Sequence, residues 1–270
     1  EQLAWFDRWL RGVGTEKPVT PARLFIMGEN AWRDEQEWPL ARTQWARYHL
    51  RGAGHANSRF GDGALSTGAP PADEPTDSYR YDPARPTPFI TEATSSQIGG
   101  PDDYAAVQRR DDLLVYQSEP LSQAVEVTGP VLVELYAASS APDTDFTAML
   151  LDVWPSGFAQ RLTDGMVRAR FREGIAQPTL ITPGEVYRYT IDCWNTAHVF
   201  REGHRIAVQV ASAAFPKYDR NLNTGAPLGV TSEMAVAEQT IYHDAAHPSA
   251  VILPIIPRAT EQRSSALARR

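Results

Sequence analysis

The chain has 270 residues, 42% of them hydrophobic and 22% charged, which is enough to bury most of its apolar surface as one large folded domain or two small ones. Its formal net charge of −7, with Lys and Arg scattered along the chain, excludes the electrostatic footprint of a nucleic-acid or anionic-membrane partner. The single Cys193 excludes an intrachain disulfide and a multi-cysteine zinc site.

No apolar run approaches the roughly 20 residues of a membrane helix, and Glu1 opens a polar helix where an export signal would carry a basic and then an apolar stretch. A cytoplasmic setting is favoured but not fixed, because a removed signal peptide leaves no trace. In residues 1–11, Leu3, Phe6 and Leu10 recur at spacings of three and four, with Gly12 just beyond, which predicts an amphipathic helix and its stop. A strand follows over 22–28, then a turn-rich stretch over 32–39 and a second strand over 44–50. Periodicity fades over 51–112, where runs such as GAPPADEPTD predict a long irregular connection with one or two short strands. A segment of that length fits a compact domain only if it is wrapped on a surface.

From Leu113 onward strands recur every ten to fifteen residues. They are LLVYQS from 113, VLVELYAAS from 131, FTAMLLDVW from 146, the stretch 158–171, VYRYTIDCW from 186, HRIAVQVAS from 204, QTIYH from 239 and AVILPII from 250. Val131, Val133 and Leu135 alternate onto one face, as do Ile206, Val208 and Val210. Eight strands with turn signals between them predict a mainly β protein, a β-sandwich of the jelly-roll kind. The tail 258–270 is polar and expected to fray.

Candidate chemistry is sparse. The nearest match to a nucleophile elbow, Gly-x-Ser-x-Gly, is Ala64-Leu-Ser66-Thr-Gly68, which lacks the first glycine and runs into Ala69-Pro70-Pro71 where a helix should begin. His243 and His247 have zincin spacing, but the acid between them is Asp244 and Pro248 follows at once, so a turn with two surface histidines is expected. His49, His55, His198 and His204 have no partner at ligand or triad spacing. Trp154, Phe158, Trp194, Phe200, Tyr218 and Tyr242 fall on different strands, which suits core filling better than a sugar platform.

The most informative run is Phe215 to Gly225, a polar turn cluster behind the strand from 204. Pro216 fixes its own φ, Asp219, Asn221 and Asn223 can bond their own backbone, and Gly225 can take positive φ. The spacing Asp219-x-Asn221-x-Asn223 imitates a calcium loop, and Asp143 with Asp145 invites the same comparison. However, Thr224 stands where that loop needs Gly, and Val230 where it needs Glu. The expectation is therefore structural: Asp219 pairs with an Arg or caps backbone amides, with no metal and no cofactor.

The same run resembles a signature of the X-Pro dipeptidyl-peptidase and cocaine-esterase group of serine hydrolases, the CocE/NonD type, which includes glutaryl-7-aminocephalosporanic-acid acylase-like hydrolases. The resemblance extends from Trp5 to Pro257 through Phe6 to Gly12, Phe25 to Gly28, Trp32 to Glu35, Asp143 to Phe146, Gly203 to Arg205, His247 to Ser249 and Leu253 to Ile255. It implies an α/β-hydrolase domain carrying Ser, Asp and His, followed by a jelly roll of the galactose-binding type. On this basis residues 1–21 are the last helix and linker of the hydrolase domain, 22–257 are the jelly roll with its irregular insertion at 51–112, and every catalytic position precedes Glu1. The chain would then hold no catalytic residue. Asp143, Asp145, Phe215, Pro216, Tyr218, Asp219, Arg220, Asn221, Asn223 and Gly225 would be a structural signature.

The implied partner is the chain's own hydrolase domain, with an ester, amide or peptide as the substrate of the whole. An exposed hydrolase-facing patch would also favour self-association. The alternatives are a free-standing module for a carbohydrate or small ligand, and a purely structural interaction domain.

Overall fold

In the computed structural model, which describes residues 1–14, 20–91 and 102–257, a ten-residue helix precedes thirteen strands. The expected polar tail at 258–270 lies outside the described residues. Helix α1 (Gln2–Arg11) ends where Gly12 takes φ 66°, and its amide donates to the carbonyl of Arg8. Next come strands β1 (Ala22–Ile26) and β2 (Ala31–Glu35), which pair as a separate antiparallel hairpin. The stretch read as turn-rich is therefore in part a strand. Its charges suit the pairing, because Arg33 bonds both Glu35 and Glu126, and Arg42 also reaches Glu35.

Strand β3 (Gln44–Arg51) is followed by the irregular segment, which contains the short strands β4 (Ala64–Ser66) and β5 (Asp77–Tyr81) and a 3-10 turn at Val107–Arg109. The eight strands from residue 113 onward then appear in order: β6 (Leu114–Gln117), β7 (Val125–Ser139), β8 (Asp145–Val153), β9 (Ala159–Arg168), β10 (Tyr187–Phe200), β11 (Arg205–Ala211), β12 (Ala237–Tyr242) and β13 (Ala250–Ile256).

They form a β-sandwich. Strand β7 pairs with β10 along one edge, and with β13 and then β12 along the other. Strands β6, β11, β8 and β9 pair in that order in the facing layer, and β4 joins β3 to β6. Period-2 alternation builds the core between the layers: Val131, Val133, Leu135 and Ala137 of β7 meet Phe146, Ala148 and Leu150 of β8 and Ile206, Val208 and Val210 of β11. The rings of Phe146 and Tyr189 sit 4.9 Å apart between the layers. Each such side chain contributes about 1.5–3 kcal/mol by leaving water.

The opposite face of β8 is buried too. Met149, Leu151 and Val153 lie against Phe89, Tyr104, Val107 and Leu113 from the irregular segment. That second core explains how so long a connection without regular structure is held: it is wrapped on the outer face of β8 and β11 and buries its own aromatics there.

Candidate functional site

The run after β11 is anchored by charge as well as by turn geometry. Alternation would place Asp143 and Asp145, at the start of β8, against the sandwich rim, and both are fully or nearly fully buried. A buried carboxylate needs a cationic or multiple hydrogen-bonding partner. Arg168, the last residue of β9, donates through Nε to Asp145 Oδ1 at 2.8 Å and through Nη2 to Asp145 Oδ2 at 2.9 Å. Arg170 donates its backbone amide to Asp143 Oδ1 at 2.9 Å, its Nε to Asp143 Oδ2 at 2.8 Å and an Nη2 to the carbonyl of Ala226 at 2.8 Å.

Asn221 lies between the two pairs. Its Nδ2 donates to Asp143 Oδ2 at 2.8 Å and Asp145 Oδ1 at 2.9 Å, while its Oδ1 accepts the Asn223 amide at 2.9 Å. Asn223 takes φ 62° and donates Nδ2 to the carbonyl of Ala235. The Asp145 carboxylate holds Arg168 well above the ordinary guanidinium range, against the pull of burial, and Asp219 adds to the effect.

The other members of the run are spread around this lattice. Asp219 meets Arg168 at 3.2 Å but leaves 78% of its side chain exposed. Phe215 exchanges backbone hydrogen bonds with Thr87 and Phe89, follows Ala214 into the cis Phe215-Pro216 bond, and lies under the Arg220 guanidinium at 5.2 Å. Arg220 also donates to the carbonyl of Pro83. Tyr218 and Lys217 both donate to Asp164, Lys217 at 2.6 Å, and burial pushes the Tyr218 phenol up. Gly225 takes φ 71°, and a Cβ there would lie 3.1 Å from Pro142 and 3.3 Å from Leu180. Gly225→Ala is therefore expected to cost about 1–2 kcal/mol in thermal unfolding, from the left-handed backbone alone.

Chemically, this is a strut. The oxygens that a calcium loop would turn inward are taken by guanidinium and amide donors, and Asn221 presents its nitrogen to the carboxylates. Among the described residues no group of three or more His, Cys, Asp or Glu is arranged to hold a metal. Ser66 of β4 lies opposite His49 across β3, but its Oγ accepts the Gly68 amide at 3.1 Å, and no hydrogen bond joins it to His49 among the described residues. Beside the run is an open depression of about 280 Å³, edged by Arg170, Asp219, Arg220 and Leu228.

The structure corrects expectations about histidines and aromatics. His243 is fully buried, donating or accepting through Nε2 with Asp77 at 2.9 Å, and only His247 reaches the surface. His198 and His204, which have no partner at ligand or triad spacing in sequence, share the carboxylate of Asp152 in the fold. Trp194 does not fill the core: it takes φ 64° in a bulge of β10 and is 69% exposed. Trp154 is also exposed, while Phe200 is buried. No described helix is long and apolar enough to cross a membrane.

Residues 13–252 match the model of the X-Pro dipeptidyl-peptidase C-terminal non-catalytic domain. The chain is 47% identical over 260 residues to cocaine esterase from Rhodococcus sp. (strain MB1 Bresler), a match that covers 94% of this chain and 45% of the esterase. Among solved structures it is similar to an aminopeptidase from the marine sediment archaeon Thaumarchaeota archaeon, with a TM-score of 0.84 and 28% identity over 95% of this chain and 44% of that one. It is likewise similar to an α-amino acid ester hydrolase, with a TM-score of 0.81 and 27% identity over 93% of this chain and 43% of that one. The chain thus spans a little under half the length of each of these relatives.

Proposed function

The chain belongs to the family of X-Pro dipeptidyl-peptidase C-terminal non-catalytic domains, and from that premise we propose that it is the β-sandwich half of a serine hydrolase, packed on a separate α/β-hydrolase domain that does the chemistry. Residues 1–21 are then the last helix and linker of the hydrolase domain, and 22–257 the sandwich. The whole would act by acyl transfer on esters, amides or X-Pro peptides, with a serine attacking, a histidine moving the proton and an aspartate orienting it. Relatives named as an esterase, an ester hydrolase and an aminopeptidase support that range, because ester and amide cleavage share the tetrahedral intermediate. This chain contributes no part of that triad.

One observation carries the proposal: the helix α1 has no core beneath it. Leu3, Trp5, Phe6, Trp9 and Leu10 are each between 50% and 75% exposed, and no residue of α1 is buried. Phe25 and Trp32 of the β1–β2 hairpin, their rings 5.4 Å apart, are also exposed. Five large exposed side chains on one short helix and two more on the hairpin support a contact with another protein surface. With α1, the hairpin would form the seam, and its apolar face would wall one side of the active-site cleft. The signature run stays on the sandwich, where it fixes the rim.

Two measurements test this. The chain alone is expected to show no serine-inhibitor-sensitive turnover of p-nitrophenyl esters or X-Pro anilides, and such turnover would overturn the proposal. Co-expressed with the hydrolase domain of the 47%-identical esterase, it is expected to purify as a 1:1 complex, which Leu3→Glu with Leu10→Glu should weaken at least tenfold. A complex indifferent to those charges would move the seam away from α1.

A further inference from the structure

Three polar side chains lie beside the end of the β1–β2 hairpin, where Met27 pairs with His198, and take no part in the signature lattice. Asp152, near the end of β8, and His198, near the end of β10, are each 2% exposed, and His204 sits in the turn that leads into β11. His204 Nδ1 lies 2.8 Å from Asp152 Oδ1, and His198 Nε2 lies 3.0 Å from Asp152 Oδ2. An ionised carboxylate only accepts, so each imidazole donates through the nitrogen facing it. When both imidazoles are neutral, their tautomers are thereby fixed, and the remaining lone pairs fall on His198 Nδ1 and His204 Nε2.

Neither lone pair is used. His198 Nδ1 is shut from solvent without a partner, at a cost of about 1–3 kcal/mol. His204 Nε2 has no hydrogen-bond partner among the described residues. Both rings line an open cavity of about 550 Å³ whose apolar walls include Phe25, Met27, Trp154, Phe158 and Val199, with Asn30, Gln160 and Arg201 as further polar lining. The Trp154 ring lies 5.3 Å from both Phe158 and His204, so one aromatic surface leads to the acceptor.

The roof of the cavity is built. Met27 exchanges backbone hydrogen bonds at 2.9 Å with Ala197 and Val199, and Arg201 donates to the carbonyl of Gly28. Gly28 takes φ 83°, and a Cβ there would fall 2.3 Å from the Val199 carbonyl oxygen, so only glycine lets the hairpin come this close to β10.

We propose that this cavity binds a largely apolar molecule that presents one O–H or N–H donor to His204 Nε2, phenol being the smallest probe that carries both features. The volume lies within the roughly 300–1,000 Å³ of small-molecule pockets, and apolar walls with a few placed polar groups are the usual make-up of such sites. The donor set argues against a metal: His198 Nδ1 is shut off, both oxygens of Asp152 are taken by the imidazoles, and no group of three or more His, Cys, Asp or Glu among the described residues is arranged to hold one. Asp152 is a positioning residue here, since it orients the imidazole and leaves the acceptor free.

The test is a titration of the full 270-residue chain with phenol, and with toluene as the isostere without a donor, followed by ¹⁵N resonances of labelled histidine. Phenol is expected to saturate, to shift His204 Nε2 as that nitrogen accepts a hydrogen bond, and to bind at least tenfold more tightly than toluene. Met27→Trp, which narrows the cavity and leaves both histidines in place, should weaken binding at least tenfold while each histidine of the free protein keeps one protonated and one bare ring nitrogen. Equal affinity for phenol and toluene, or saturation without a shift at His204, would reduce the site to an apolar void and overturn the proposal. So would the absence of saturable binding, or binding that Met27→Trp weakens less than tenfold.

Discussion

Asp145→Ala is expected to remove about 3–5 kcal/mol of stability, the size of effect that follows when one partner of a buried ion pair is deleted and the other stays behind. Arg168 is 7% exposed and loses both of its short bonds in the variant. Asp219 stays 3.2 Å from the guanidinium, but with 78% of its side chain in water it is a weak substitute. Asn221 loses one of its two carboxylate acceptors at the same time. Asp145→Leu combined with Arg168→Met should cost less than either single change, because a buried pair replaced by apolar groups of similar volume no longer strands a charge. Urea unfolding of the two single variants and the double variant gives the coupling directly. Additive costs would mean that the two side chains do not act as a pair.

The strand content was legible because alternation is local. The periods of Val131, Val133 and Leu135 and of Ile206, Val208 and Val210 fall on strands β7 and β11, and their inward faces are the core. What local pattern could not supply was the effect of irregularities. In β10, Tyr189, Ile191 and Cys193 face inward on odd numbers, and the same parity continued would turn His198 and Phe200 outward. The bulge at Trp194 shifts the register between Asp192 and Asn195, and from there Thr196, His198 and Phe200 face inward. His198 therefore meets Asp152, 46 residues away in sequence, through a one-residue insertion that spacing cannot reveal.

The length of β7 was hidden for a related reason. The strand was expected from 131, but Gly129 sits against Pro254 of β13, where a Cβ would come within 2.9 Å, and the irregularity in that pairing lets β7 begin at Val125. His243 could have been found. It continues the inward parity of Ala237, Gln239 and Ile241 one step beyond the end of β12. Within the signature, the turn residues were legible singly. The partners of Asp143 and Asp145 on β9 and just beyond were not, because only the sandwich brings residues 143–145, 168–170 and 221 together.

Asp77→Ala is expected to destabilise the chain by a similar amount, about 3–5 kcal/mol, through unmade hydrogen bonds where Asp145→Ala acts through a stranded charge. Asp77 is completely buried on β5 and accepts three donors from three parts of the chain: the Ala56 amide at 2.9 Å, the Tyr116 hydroxyl at 3.0 Å and His243 Nε2 at 2.9 Å. Each donor left without an acceptor costs about 1–3 kcal/mol. Burial and the Asp77 carboxylate together hold the Tyr116 phenol well above its ordinary value, so Tyr116 remains a donor throughout the useful pH range.

Asp77→Asn separates the causes. The amide keeps one acceptor oxygen but turns an N–H toward the remaining donors, so a loss of about 1–3 kcal/mol is expected, smaller than for alanine. The same carboxylate is one point where the irregular segment is tied to the sandwich, at Ala56 on one side and at Tyr116 and His243 on the other. In the Asp77→Ala variant, limited proteolysis should therefore cut first within residues 52–76, before β6 to β13 unfold. A variant that loses less than about 1 kcal/mol, or is cut no faster in that segment than the parent, would mean that Ala56 and Leu65 in the main core and the backbone bonds of Ala56 and Gly63 to β6 hold the segment without Asp77.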